Sequence, residues 1–171
     1  MTTQPLSPPV PAAALPASEA TRTLAALVRG IAARPQLWRP AVRFGAAERW
    51  WTRLDAPAGV DVWLLTWLRS QGTDLHDHGG SAAAFTVVAG TLTESRATRD
   101  GALHAVPLTP AGGARTVEPD VVHDVRNDHD EPAVSIHAYA PRLQRMSFYA
   151  VTGTGLTRVR TVRTDEPEVD A

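Results

Sequence analysis

From Val60 onward the chain is a succession of short β-branched and aromatic runs separated by turn residues, and this rhythm limits the fold more than any other feature. The runs cover residues 60–68, 84–89, 91–97, 102–108, 121–125, 133–139, 145–152 and 156–162. Each has the length and residue types of a strand. Gly79-Gly80, Asp100-Gly101, Gly112-Gly113, Asn127-Asp128 and Gly153 punctuate them. Strands this short and regular, with no helical segments between them, predict an antiparallel sandwich or closed barrel and not alternating β/α units.

Ahead of this region the pattern is helical. Ser18 is a suitable N-cap, Glu19 suits the first turn, and Leu24, Leu27, Val28 and Ile31 recur at helical spacing until Pro35 ends the pattern. A second helical piece is expected from Pro40 to about Trp51. Residues 1–17 hold five prolines among alanines and read as a flexible tail. The expected organisation is therefore that tail followed by one mainly β domain over 18–171. A helical cap at about 18–52 would sit on a barrel at about 58–163, and 171 residues suffice for one such core.

Composition removes several kinds of chemistry. There is no cysteine, so disulfides, thiolate zinc sites, iron–sulfur clusters and cysteine nucleophiles are excluded. There is no lysine, which excludes Schiff bases. A net charge of −1 without a basic block argues against a nucleic-acid partner. No apolar run approaches the roughly 18–20 residues that span a bilayer. The N-terminus also lacks the charged start and apolar stretch of a secretory signal. The expectation is a cytoplasmic protein with no membrane partner.

The histidines carry the functional signal. His76-Asp77-His78 sits beside the Gly79-Gly80 turn, and residues two apart on a strand share a face, so both imidazoles can reach one metal ion. Alone, such a pair fits surface histidines beside a turn equally well. Further along, Phe85 to Ala89 forms an apolar run closed by Gly90, and Gly113, Pro119, His123 and Asn127 follow in order. In type and order these resemble the two motifs of the cupin superfamily, over a region from about Val60 to Tyr139. The resemblance implies a small antiparallel β-barrel with one metal inside its mouth, held here by His76, His78 and His123. The acid that commonly supplies a fourth ligand is missing: Ser81, Ala82, Ala83 and Ala84 stand in its place. Three neutral imidazoles leave a divalent ion its full charge and open positions, which suits a soft anionic ligand together with O2. Three histidines also hold zinc, so ligand type alone leaves the metal open.

Ser135-Ile136-His137-Ala138-Tyr139 places Ser135, His137 and Tyr139 on one face of a strand, where they can hydrogen-bond in series. This run resembles the Ser-His-Tyr relay of the thiol dioxygenases, cysteine dioxygenase and its relatives. Trp51-Thr52-Arg53 resembles that family's Tyr-Thr-Arg, whose arginine binds the substrate carboxylate through two parallel hydrogen bonds. The resemblance implies one Fe(II) per chain and an enzyme that converts L-cysteine and O2 to cysteine sulfinate. Tyr139, His137 and Ser135 would form the relay, and Arg53 and Tyr139 would contact substrate. Alternatives are dioxygenation of another small thiol such as 3-mercaptopropionate, a non-catalytic metal-binding sensor, or a zinc or manganese cupin of other activity. The animal enzymes cross-link a cysteine to the tyrosine; Ala83 stands there, so Tyr139 stays an unmodified phenol. The family's Ser-Pro-Pro after the tyrosine becomes Ala140-Pro141-Arg142. Partners beyond the thiol and O2 are not expected, and the state expected is a monomer or weak homo-oligomer. His104 and His129 read as surface histidines.

Overall fold

The computed structural model describes residues 18–167; the proline-rich stretch 1–17 lies outside the described residues. One helix, α1 (Glu19–Ala32), precedes eleven strands. These are β1 (Trp51–Arg53), β2 (Asp61–Trp67), β3 (His76–Asp77), β4 (Ala82–Ala89), β5 (Leu92–Ala97), β6 (Leu103–Leu108), β7 (Arg115–Val117), β8 (Val122–Arg126), β9 (Ala133–Ala140), β10 (Arg145–Thr152) and β11 (Gly155–Arg163). They form two antiparallel sheets, ordered β1-β2-β9-β4-β7 and β11-β10-β3-β8-β5-β6. The mainly β, cupin-type architecture is the one the strand rhythm and motifs predict.

Two apolar layers account for the sequence pattern. Between the sheets lie Trp63, Leu65, Trp67, Phe85, Val87, Leu92, Val125, Met146 and Phe148. On the outer face of the five-stranded sheet, Leu24, Ala25, Val28 and Ile31 of α1 pack on Val62, Leu64, Ala82, Ala84, Val134, Ile136 and Ala138. Strands β2, β4 and β9 are therefore covered on both faces, which is why they read as unbroken apolar runs and not as alternating ones. The small residues Ala82, Ala84 and Ala138 let the helix approach closely. Ser18 caps α1 by accepting from the Thr21 amide at 3.3 Å, as its residue type predicts.

The helical cap is shorter than the sequence suggests. After α1 come two 3₁₀ turns, Pro35–Leu37 and Arg39–Ala41, and residues 42–50 form no helix. Pro35 and Pro40 have no amide proton for an α-helical ladder. The Trp50 carbonyl instead accepts from the Thr66 amide at 2.9 Å, which draws the segment alongside β2 and leads into β1. Trp51 thus begins a strand where a helix was expected to end. Among the described residues, no helix is long and apolar enough to cross a membrane.

Candidate metal centre

His76 and His78 stand on one face of the β3 segment, and His76 lies directly opposite His123 in the β3–β8 ladder. Asp77 points the other way and staples the segment to β10. Its carboxylate accepts from the Gly79 amide at 2.8 Å, the Tyr149 hydroxyl at 2.6 Å and the Ser147 amide at 3.3 Å. Gly79 then turns with φ +59, and a Cβ there would sit 2.5 Å from the Arg145 carbonyl oxygen, so only glycine fits beside His78.

The three imidazoles converge. The Nε2 atom of His78 is 3.2 Å from that of His76 and 3.4 Å from that of His123, and all three rings are buried. A metal bound about 2.1 Å from each of three nitrogens separates them by roughly 3.0–3.4 Å, so the spacing fits one ion. The hydrogen bonds behind two rings fix their tautomers. His76 Nδ1 faces the Asp74 carbonyl oxygen at 2.8 Å, and His123 Nδ1 faces a Glu94 carboxylate oxygen at 3.0 Å. Both oxygens only accept, so each Nδ1 carries the proton and each Nε2 lone pair points inward. Burial, reinforced by the charge His123 would carry, holds His76 well below the usual imidazole range. Burial and then His76 and His123 do the same for His78. Neutral rings with bare inward nitrogens are what a divalent ion requires. Among the described residues this is the one histidine or carboxylate group close enough to hold a metal.

Glu94 is the supporting residue that sequence reasoning missed. It is wholly buried, and besides His123 it accepts from Arg96 at 3.0 Å and Arg115 at 2.8 Å. Burial raises its carboxyl, but the hydrogen bond from His123 and the charges of His123, Arg96 and Arg115 outweigh that and bring it to about 2. The signal was present: Leu92 and Glu94 share a face by the strand period, and an acid on an apolar inward face rarely lacks a partner.

Ser135, His137 and Tyr139 do line one inward face of β9, with Ser135 Oγ 2.7 Å from His137 Nε2. His137 stacks on Phe85, ring centroids 4.8 Å apart at 9°. Tyr139 packs edge-on against His78 at 5.0 Å, which brings the phenol beside the triad. Ala83 lies directly across from Tyr139 in the β4–β9 ladder. Arg53 stands on the edge strand at the end of an inward cross-strand row, Arg53–Trp63–His137–Phe85. Its guanidinium covers the Trp63 ring at 4.4 Å and donates to the Asp165 carbonyl oxygen at 2.7 Å, with the side chain 51% exposed. A second arginine, Arg49, is buried over the Trp67 ring at 4.4 Å, and nothing in the sequence marks it. Asn127 of the second motif is structural: its side chain donates to the Trp67 and Glu131 carbonyl oxygens at 3.0 and 2.9 Å. His104 is exposed on β6 and His129 lies in the turn after β8, both outside the cluster.

The model of the cysteine dioxygenase type I family matches residues 17–151. The chain belongs to that family. A search of curated proteins gives no match. Solved structures that share the family's fold include TT1209 from Thermus thermophilus, at 20% identity and TM-score 0.53, covering 60% of this chain and 92% of that one. A Klebsiella pneumoniae protein with a double-stranded β-helix domain is 17% identical at TM-score 0.51, covering 71% and 93%. An oxalate oxidase is 14% identical at TM-score 0.51, covering 61% and 56%. Family membership and the three-histidine group together describe a metal-dependent oxidoreductase of the cupin superfamily.

Proposed function

We propose that this protein is an iron(II)-dependent thiol dioxygenase that converts L-cysteine and O2 to cysteine sulfinate. The donor set carries this reading: three buried, converging imidazoles with no carboxylate among them, in a barrel of this family. Iron(II) held by His76, His78 and His123 would supply a fully charged centre that takes an anionic thiolate and activates O2 for delivery of both atoms to sulfur. Going from thiol to sulfinate, the sulfur gives up the four electrons that O2 needs, so no other reductant is required. Phe148 beside His76 and Phe85 beside His123 keep the surroundings of the triad apolar. Anaerobic loading with iron(II), followed by oxygen uptake with cysteine and mass analysis under labelled O2, tests the proposal. The expected result is one iron per chain and a sulfinate carrying two labelled oxygens; absence of thiol-dependent uptake in the iron-loaded protein would refute it.

Tyr139 supplies a buried hydroxyl next to His78, placed to hold the substrate carboxylate or the transferred oxygen through a hydrogen bond. Tyr139→Phe removes that donor and little volume. Turnover should fall roughly 10–100-fold with iron content unchanged. Loss of iron in this variant would instead make the phenol part of the metal's support.

Arg53 is the residue proposed to take the carboxylate, and the partner it holds now, the Asp165 main-chain oxygen, is itself an acceptor a substrate could replace. A charge-assisted contact at a half-exposed rim is worth about 1.5 kcal/mol, roughly tenfold in KM. Arg53→Gln should therefore raise the cysteine KM about tenfold and leave iron content alone. Cysteamine, which lacks the carboxylate, should be a poor substrate whose kinetics the substitution leaves unchanged. Steady-state kinetics on cysteine, 3-mercaptopropionate and cysteamine check this; unchanged KM for both carboxylated thiols removes Arg53 from the site.

A further inference from the structure

We infer that the hydrogen-bonded series on β9 begins at Trp67, and that this indole acts as a positioning residue that fixes which nitrogen of His137 carries the proton. Trp67 is fully buried on the inward face of β2, and its Nε1–H donates to Ser135 Oγ at 2.8 Å. Ser135 Oγ in turn lies 2.7 Å from His137 Nε2. Ser135 is wholly buried, and among the described residues these two groups are its side chain's hydrogen-bonding neighbours.

Donor chemistry then sets the direction. An indole N–H can only donate, so the serine oxygen accepts from it. The serine proton has one acceptor within reach, His137 Nε2. The reverse arrangement, with the proton on Nε2, would aim two donors at the serine oxygen and leave the buried hydroxyl proton without an acceptor, at the cost of an unmade hydrogen bond. His137 is neutral: burial, then His123 and Arg49, bring it down to about 3. A neutral imidazole has one proton, so it resides on Nδ1. Arg49, over the Trp67 ring at 4.4 Å, holds the indole in plane and draws electron density from it, which strengthens its N–H as a donor. Phe85, stacked on the His137 ring, prevents the ring from turning over. Trp67, Ser135 and His137 thus form a one-way series in which each member's proton points along the chain.

The tautomer follows from the hydrogen-bond directions about Ser135 and the neutral state of the buried ring; its effect on turnover rests on the thiol dioxygenase reading. The test is Trp67→Phe, which keeps an aromatic ring beneath Arg49 and removes the N–H together with part of the indole's volume, with Ser135→Ala, which removes a single oxygen, alongside. Nitrogen-15 spectra of histidine-labelled, metal-free protein should show His137 protonated at Nδ1 and bare at Nε2 in the wild type. Trp67→Phe should give a mixture of the two forms. In iron-loaded protein, Trp67→Phe should lower kcat several-fold with KM and iron content unchanged, and should add nothing further in the Ser135→Ala background. A wild-type His137 protonated at Nε2 overturns the inference without any variant having to fold. A Trp67→Phe spectrum identical to the wild type's, or kcat effects that simply add to those of Ser135→Ala, also overturns it. Wild-type protein inert toward every thiol overturns the dioxygenase reading instead, and the wild-type ring signal still decides the tautomer.

Discussion

Alanine in place of His76, His78 or His123 is expected to abolish stoichiometric metal binding and, with it, thiol-dependent oxygen uptake. Each ring supplies one of three converging nitrogens, and two ligands of this kind leave an exchangeable ion. The loss should not come from unfolding. Burial holds His76 and His78 well below the usual imidazole range, so removing either ring strands no charge. His78→Ala is the cleanest of the three, because His78 Nδ1 has no hydrogen-bond partner among the described residues and the ring's polar neighbours are the other two triad nitrogens. His123→Ala leaves Glu94 its two arginines. Circular dichroism melts of the metal-free variants close to wild type, alongside metal analysis below a tenth of an ion per chain, would be the expected pair of results. His104→Ala and His129→Ala should load and turn over as wild type does. Stoichiometric metal in any variant of the triad would mean the ion sits elsewhere.

Much of this site is legible in the sequence because strand periodicity is a strong constraint. Period two alone places His76 with His78, and Ser135 with His137 and Tyr139. The cross-strand meeting of His76 and His123 needs the ladder, which no single run encodes. What escaped notice fails for identifiable reasons. Strands β1 and β7 are three residues each, too short to show a period. The 40–51 segment has helix-forming residues, Ala46, Ala47 and Glu48, but its neighbours' prolines and the claim of Thr66 on the Trp50 carbonyl decide its course. Arg49 is buried only because Trp67, eighteen positions on, lies beneath it, and its immediate neighbours Glu48 and Trp50 are exposed. Asn127 reads as part of a metal motif and proves to be the tie that joins the end of β2 to the β8–β9 turn.

Glu94→Gln should show the largest change in stability, because a carboxylate with no solvent exposure is held there by three donors at once. The amide keeps the shape but presents N–H groups to donors and leaves Arg96 and Arg115 without their shared counter-ion. Folding lowers the carboxyl from its ordinary 4.5 to about 2, so its contribution is fully present above about pH 4.5 and is lost as pH falls from there toward 2. That shift corresponds to about 3 kcal/mol, or roughly 6–12 °C in Tm for a domain of this size. At pH 7 metal-free Glu94→Gln should therefore melt well below the wild type. On acidification the wild type should lose this advantage while the variant changes less, so the two curves converge near pH 2–3. Metal affinity should weaken as well, by roughly 10–100-fold, because His123 loses the acceptor that holds its proton on Nδ1. Denaturant melts at pH 7 and pH 3 with an iron(II) titration separate the two effects. Equal stability at pH 7 would show that Arg96 and Arg115 find water as readily as Glu94. Unchanged metal affinity would show that β8 alone aims the His123 ring, with Glu94 serving only as a buried counter-charge to the two arginines.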